Sequence, residues 1–113
     1  MHLPDIQRDL DCRTLFRASA FDEIDVNAVI ASDLMSDVLA AEAENAILVT
    51  SLASEQTLRT ADVVEAAAVL IVNGKTIHPR MTALAAEFDI TLMTTSLDKF
   101  SACVALGNLM DAT

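Results

Sequence analysis

The sequence predicts a single α/β domain over residues 1–113, with a mainly parallel sheet flanked by helices. Three short apolar runs, AILVT at 46–50, AVLIV at 68–72 and ITLMT at 90–94, alternate with helical patterns. Their first residues lie 22 positions apart each time, the length of one strand, one helix and two tight loops. Each run is apolar almost throughout rather than alternating with polar residues, as strands buried on both faces of a parallel sheet require.

The remaining elements follow from local chemistry. A first helix opens at Leu3-Pro4, with Pro4 in its first turn, Asp5 suited to the helix dipole, and Ile6 and Leu10 apolar. Residues 13–18 read as a short edge strand, because Leu15 and Phe16 break any helical period, and 21–25 as an acidic turn. Alternation of Val26, Ala28 and Ile30 predicts a strand over 25–31. The segment SDLMSDVLA, 32–40, predicts a helix capped by Ser32 or Asp33, with Leu34, Met35, Val38 and Leu39 on one face. It is expected to end near Asn45, a residue that tolerates the left-handed conformation.

After the run at 46–50, Ser54 starts a helix whose buried stripe is Leu58, Ala61 and Val64 and whose polar side holds Glu55, Arg59, Asp62 and Glu65. The run at 68–72 leads to a turn, Asn73-Gly74-Lys75. His78 and Pro79 begin a helix in which Met81, Leu84, Ala85 and Phe88 match the i, i+3, i+4, i+7 template. Ser96 is expected to cap the last helix, with Asp98 in its first turn and Phe100, Cys103, Val104 and Gly107 along one side.

Composition narrows the function classes. A chain of 113 residues that is 53% hydrophobic has one core to build and is too apolar for disorder. A formal charge of -10 opposes phosphate backbones and anionic lipid, so neither nucleic acid nor membrane is an expected partner. No apolar run approaches the roughly 18–20 residues that cross a bilayer. MHLPDIQRDL has no signal-peptide core, so a cytoplasmic protein is expected. Cys12 and Cys103 are too few for an iron–sulfur or Cys-rich zinc site; both are expected as reduced thiols, Cys103 in the core.

Catalytic templates are missing. Gly74 and Gly107, the only glycines, build neither a phosphate-cradling loop nor a dinucleotide fingerprint. There is no GxSxG elbow, and neither histidine has a triad context. Asp33 and Asp37 share a helix face, but two carboxylates make no metal site. No catalytic residue, cofactor or metal is expected.

A ligand would bind where open α/β sheets bind theirs, outside the carboxyl ends of the strands. Those ends carry Thr50-Ser51, Asn73-Gly74 and Thr94-Thr95-Ser96, whose hydroxyls and neighbouring helix N–H groups suit a phosphate or carboxylate. Ser54 and Ser96 read equally well as helix caps. Glu55 and Asp98 repel an anion, and Arg59, one turn on from Glu55, is the cation able to offset them; it reads equally as a surface ion pair with Glu55. The candidate ligand-binding set is Thr50, Ser51, Arg59, Asn73, Gly74, Ser96 and Asp98.

The whole segment Ser32-Asp33-Leu34-Met35-Ser36-Asp37-Val38-Leu39-Ala40 and the pattern Leu58-Arg59-Thr60-Ala61 resemble short stand-alone members of the DRTGG domain family. The resemblance runs over nearly the whole chain. Ser54-Glu55-Gln56 stands where longer members have Asp-Arg, and Val72-Asn73-Gly74 where they have Thr-Gly-Gly; Asp98 keeps the acidic residue of the family's last helix start. Such domains occur in HPr kinase/phosphorylase-like proteins, some phosphotransacetylases and some pyrophosphatases with CBS domains. The resemblance implies a regulatory or sensory module rather than an enzyme, paired as a homodimer, with a small anionic or nucleotide effector. The alternative is a protein-interaction or assembly module for a redox (hydrogenase-like) or signalling system, its apolar helix faces seeking a protein partner.

Overall fold

In the computed structural model, which describes residues 1–112, the elements run α1 (Leu3–Asp9), β1 (Arg13–Phe16), β2 (Ala28–Ala31), α2 (Met35–Ala40), β3 (Ala46–Thr50), α3 (Glu55–Val63), β4 (Ala68–Ile71), α4 (Pro79–Phe88), β5 (Thr91–Thr94) and α5 (Lys99–Ala112). One sheet has the order β1-β5-β4-β3-β2. Strands β2 to β5 are parallel. Strand β1 closes the far edge antiparallel to β5, with Arg13 opposite Thr94 and a register shift between Thr14 and Phe16. The α/β class read from the apolar runs is the observed one.

Side chains of the central strands alternate between two cores. Ile47, Val49, Leu70 and Met93 pack with Leu3 and Ile6 of α1 and Ala102 and Leu106 of α5. Leu48, Val69, Ile71 and Leu92 pack on the opposite face with Val38, Leu58, Met81 and Ala85 of α2, α3 and α4. Both faces of β3 and β4 are therefore covered, which is why those strands are written in unbroken apolar residues. The three successive βαβ crossovers wind the same way and leave α2, α3 and α4 on one face. After β5 the chain changes face and lays α5 beside α1.

The first residue is built into this frame. The Met1 ammonium donates to Asp25 Oδ1 at 2.9 Å and to the Val26 carbonyl at 3.1 Å, while Val26 N–H donates back to the Met1 carbonyl at 2.7 Å. The aromatic of the acidic turn, Phe21, is buried in the α1–α5 core.

Several local expectations are revised. Helix α2 starts at Met35, because Ser32 Oγ accepts the Leu34 N–H at 3.1 Å and holds a turn before it. Only Met35 and Val38 face the core; Leu34 and Leu39 stay 58% and 52% exposed. Asn45 does adopt a left-handed φ of 49°, but at the entry to β3 rather than at the end of α2. Ser54 occupies the N-cap position of α3 without capping it, and its hydroxyl is enclosed with no partner among the described residues. Helix α5 buries Ala102 and Leu106, so Phe100 and Val104 lie on its open side, 77% and 46% exposed. Cys103 is half-buried rather than central, and both cysteines are free thiols.

Two-sided burial makes the middle of the sheet the least forgiving region. Leu70→Ala, at a fully buried β4 position, is expected to lower unfolding stability by about 2–5 kcal/mol in urea denaturation, against less than about 0.5 kcal/mol for a substitution at exposed Glu87.

Candidate functional site

All four parallel strands end at one edge of the sheet. Strand β1 runs the other way, so its first residue, Arg13, comes to that edge beside Thr94. Helices α3 and α4 leave the edge toward one face and α5 toward the other. The loops after β4 and β5 thus part company, the arrangement that opens a crevice in α/β sheets.

At the β3 end Thr50 and Ser51 are engaged by the chain's own Asp33. Asp33 Oδ1 accepts from the Thr50 hydroxyl and the Ser51 N–H, both at 2.8 Å. Oδ2 accepts from the Ser51 hydroxyl at 2.9 Å and the Lys99 ammonium at 2.6 Å. Lys99 above all, helped by the Ser51 and Thr50 donors, holds this carboxyl well below the usual carboxylate range. One side chain thereby ties the β2–α2 loop, the end of β3 and the start of α5. Asp33 precedes α2 rather than lying on it, so it shares no helix face with Asp37, a correction to the sequence reading.

At the β4 and β5 ends the loops are joined by their own backbones. Asn73 and Gly74 take left-handed φ values of 68° and 59°. Their N–H groups donate to the Leu97 carbonyl at 2.8 Å and the Thr95 carbonyl at 3.0 Å. A Cβ on Gly74 would stand 3.9 Å from Ser96 Cα, so its φ, not crowding, favours glycine. Asp98 caps α5, its Oδ1 accepting the Ser101 N–H at 2.7 Å; Ser96, two residues earlier in an exposed turn, does not. The structure brings Asn73, Gly74 and Ser96 together. Thr50 and Ser51 are gathered around Asp33. Arg59 stands apart on the exposed side of α3, 4.0 Å from Glu55, as the ion-pair reading anticipated.

Beyond the Asn73-Gly74 turn, residues 75–77 overhang a cavity of about 650 Å³ between β1, β5 and α4. Arg13, Lys75, Thr76, Thr82 and Thr94 supply its polar lining, Leu15 and Ile77 part of its apolar lining. Sequence reasoning missed this place because nothing in residues 13–18 announces which way the edge strand runs. The start of α4 beside it is closed, since His78 Nδ1 accepts the Arg80 N–H at 3.1 Å. Among the described residues no group of three or more His, Cys, Asp and Glu comes together to hold a metal, and no helix is long and apolar enough to cross a membrane.

No family model and no curated protein matches the chain. Among solved structures, it is similar in fold to a Clostridium perfringens pyrophosphatase structure, comprising the CBS and DRTGG domains of its regulatory region complexed with an activator, diadenosine tetraphosphate. The TM-score is 0.75 at 17% identity, over 92% of this chain and 45% of that one. The chain thus spans less than half the length of that structure, and at this identity the likeness is one of fold.

Asp33 provides a direct test of the edge. Its folded-state pKa lies below the unfolded value of about 4, so its contribution is complete above that pH and drains away as pH falls toward the folded value. Asp33→Asn is expected to cost about 1–2 kcal/mol at pH 7, modest because the carboxylate is partly exposed and screened. The gap from wild type should narrow as urea melts are moved from pH 5 down to about pH 2.

Proposed function

We propose that the chain is a non-catalytic regulatory or sensory module, a cytoplasmic homodimer that binds a small anionic or nucleotide effector at the carboxyl edge of its sheet. The observation that carries this reading is the capture of Asp33 by Thr50, Ser51 and Lys99. The β3 end is chemically an anion site, filled from within. Next to it Asn73, Gly74 and Ser96 form the uncovered continuation of the same edge, with Asp98 one turn beyond and Arg59 on the flank. The likeness in fold to a structure from a regulatory region, complexed with a nucleotide activator, points the same way.

The pairing is supported by α5, which is apolar on two sides and covered on one. Ala102 and Leu106 are in the core while Phe100 and Val104 face outward. A helix apolar all round is normally buried all round. A second reading, an interaction or assembly module, is favoured by the exposure of Leu34 and Leu39 on α2; a stable protein partner lost with Leu39→Asp would support it.

A thermal-shift screen with adenine nucleotides, acyl phosphates and common anions tests the effector. A ligand present at ten times its Kd stabilises by about 1.4 kcal/mol, expected as a rise of about 5 °C in midpoint. No shift at millimolar concentration contradicts it. Light scattering at micromolar concentration is expected to give a dimer mass for wild type and a monomer for Phe100→Asp; a wild-type monomer contradicts the pairing.

A further inference from the structure

We infer that the cavity between β1, β5 and α4 is a binding site for a phosphorylated small molecule, with Arg13 and Lys75 as its cationic clamp. The inference rests on the effector reading above and places the ligand in a site outside the seven residues that the strand ends suggest.

Charge accounting singles the place out. Acidic residues outnumber basic ones by 17 to 7, so a cation left unpaired here stands against the odds. Arg8 lies between Asp5 and Asp9, Arg59 meets Glu55, Lys99 meets Asp33, and the Arg17 guanidinium stands 4.4 Å from the centre of the Phe21 ring. The other three, Arg13, Lys75 and Arg80, have no ionic or ring partner among the described residues, and of these Arg13 and Lys75 line the same cavity. Among the described residues no carboxylate lines it with them. Three other hollows, of about 370, 230 and 440 Å³, carry respectively Asp25, Glu44 with Glu65, and Asp9. The charge lining this cavity is thus opposite in sign to the net charge of the molecule, and a concave wall concentrates such a field.

The two cations are set by rigid parts of the fold. Arg13 opens β1 and is registered against Thr94. Lys75 follows a turn whose N–H groups are fixed to the Leu97 and Thr95 carbonyls. These backbone anchors need no ordering when a ligand arrives, while the two side chains themselves are exposed. Thr82 and Thr94 line the cavity with hydroxyls that make no hydrogen bond within the described residues, leaving donors for phosphate oxygens. Leu15 and Ile77 offer aliphatic surface to the remainder of the ligand. A volume of about 650 Å³ fits a small molecule. A guanidinium and an ammonium lining one cavity without a carboxylate suit a dianionic phosphate better than a single carboxylate.

Isothermal titration of the full chain with inorganic pyrophosphate, ADP and adenosine tests the site. Pyrophosphate and ADP are expected to bind and adenosine to give no heat. Arg13→Gln and Lys75→Gln are each expected to weaken ADP by about tenfold or more, and together to abolish its binding. Neither side chain has an ionic partner among the described residues, so the variants should melt within about 3 °C of wild type. ADP binding that survives the double substitution overturns the cavity assignment and leaves the effector reading standing. Adenosine binding as tightly as ADP overturns the phosphate class. No heat from either phosphate at millimolar concentration overturns the site, and the reading on which it rests falls with it only if the thermal-shift screen is also blank.

Discussion

Two-sided burial of β3 and β4 is the constraint on which the rest of the molecule depends. Once every side chain of these strands is enclosed, helices must lie on both faces, and polar groups are driven to the ends of the strands. The buried polar residues obey this division: Thr50 and Thr95 lie at strand ends, Thr91 begins β5, and Thr57 and Thr60 belong to α3. Buried threonine hydroxyls find backbone carbonyls near them in the chain or far from them. Thr95, for example, donates to the Leu10 carbonyl at 2.8 Å, and Thr57 to the Leu52 carbonyl at 2.7 Å. The chemistry of the domain is confined to its edges by the same packing that stabilises it.

The carboxyl edge is then divided unequally. Its β2–β3 half is closed by Asp33, a carboxylate that Lys99 neutralises and that joins loops from both sides of the sheet. In the middle, hydrogen bonds between the β4 and β5 loops draw the crevice together. The β5–β1 half stays open, because the edge strand runs backwards and α4 stands over it. A place for an external anion remains only where the internal one does not reach.

The sequence makes some of this plain. The apolar runs of β3, β4 and β5, the stripe of α4, the turn at Asn73-Gly74 and the helix start at His78 all depend on short-range patterns. The partnership of Asp33 does not. Thr50 is 17 residues away and Lys99 is 66, and no periodicity links them, so local pattern offers Asp33 only as an alternative to Ser32 for the helix cap. Ser96 and Asp98 are both acceptable caps, and the choice rests on how far the β5 loop runs before α5 begins. In α5 the spacing that puts Phe100 and Val104 together also puts Ala102 and Leu106 together, so periodicity cannot say which pair faces the core. The anion cavity was hidden for a similar reason: Arg13, Lys75 and Thr94 are joined by the direction of one edge strand, which its four residues do not encode.

The central claim is that the open half of the carboxyl edge, and not the Asp33 half, receives an anion. Mapping backbone amide chemical shifts in uniformly labelled protein during a pyrophosphate titration tests this most directly. The expected result is a saturable set of shifts confined to residues 13–15, 75–77 and 94, with the amides around Asp33 and Ser51 unmoved. Shifts centred on Ser32 to Ser51, or none at millimolar pyrophosphate, would contradict it.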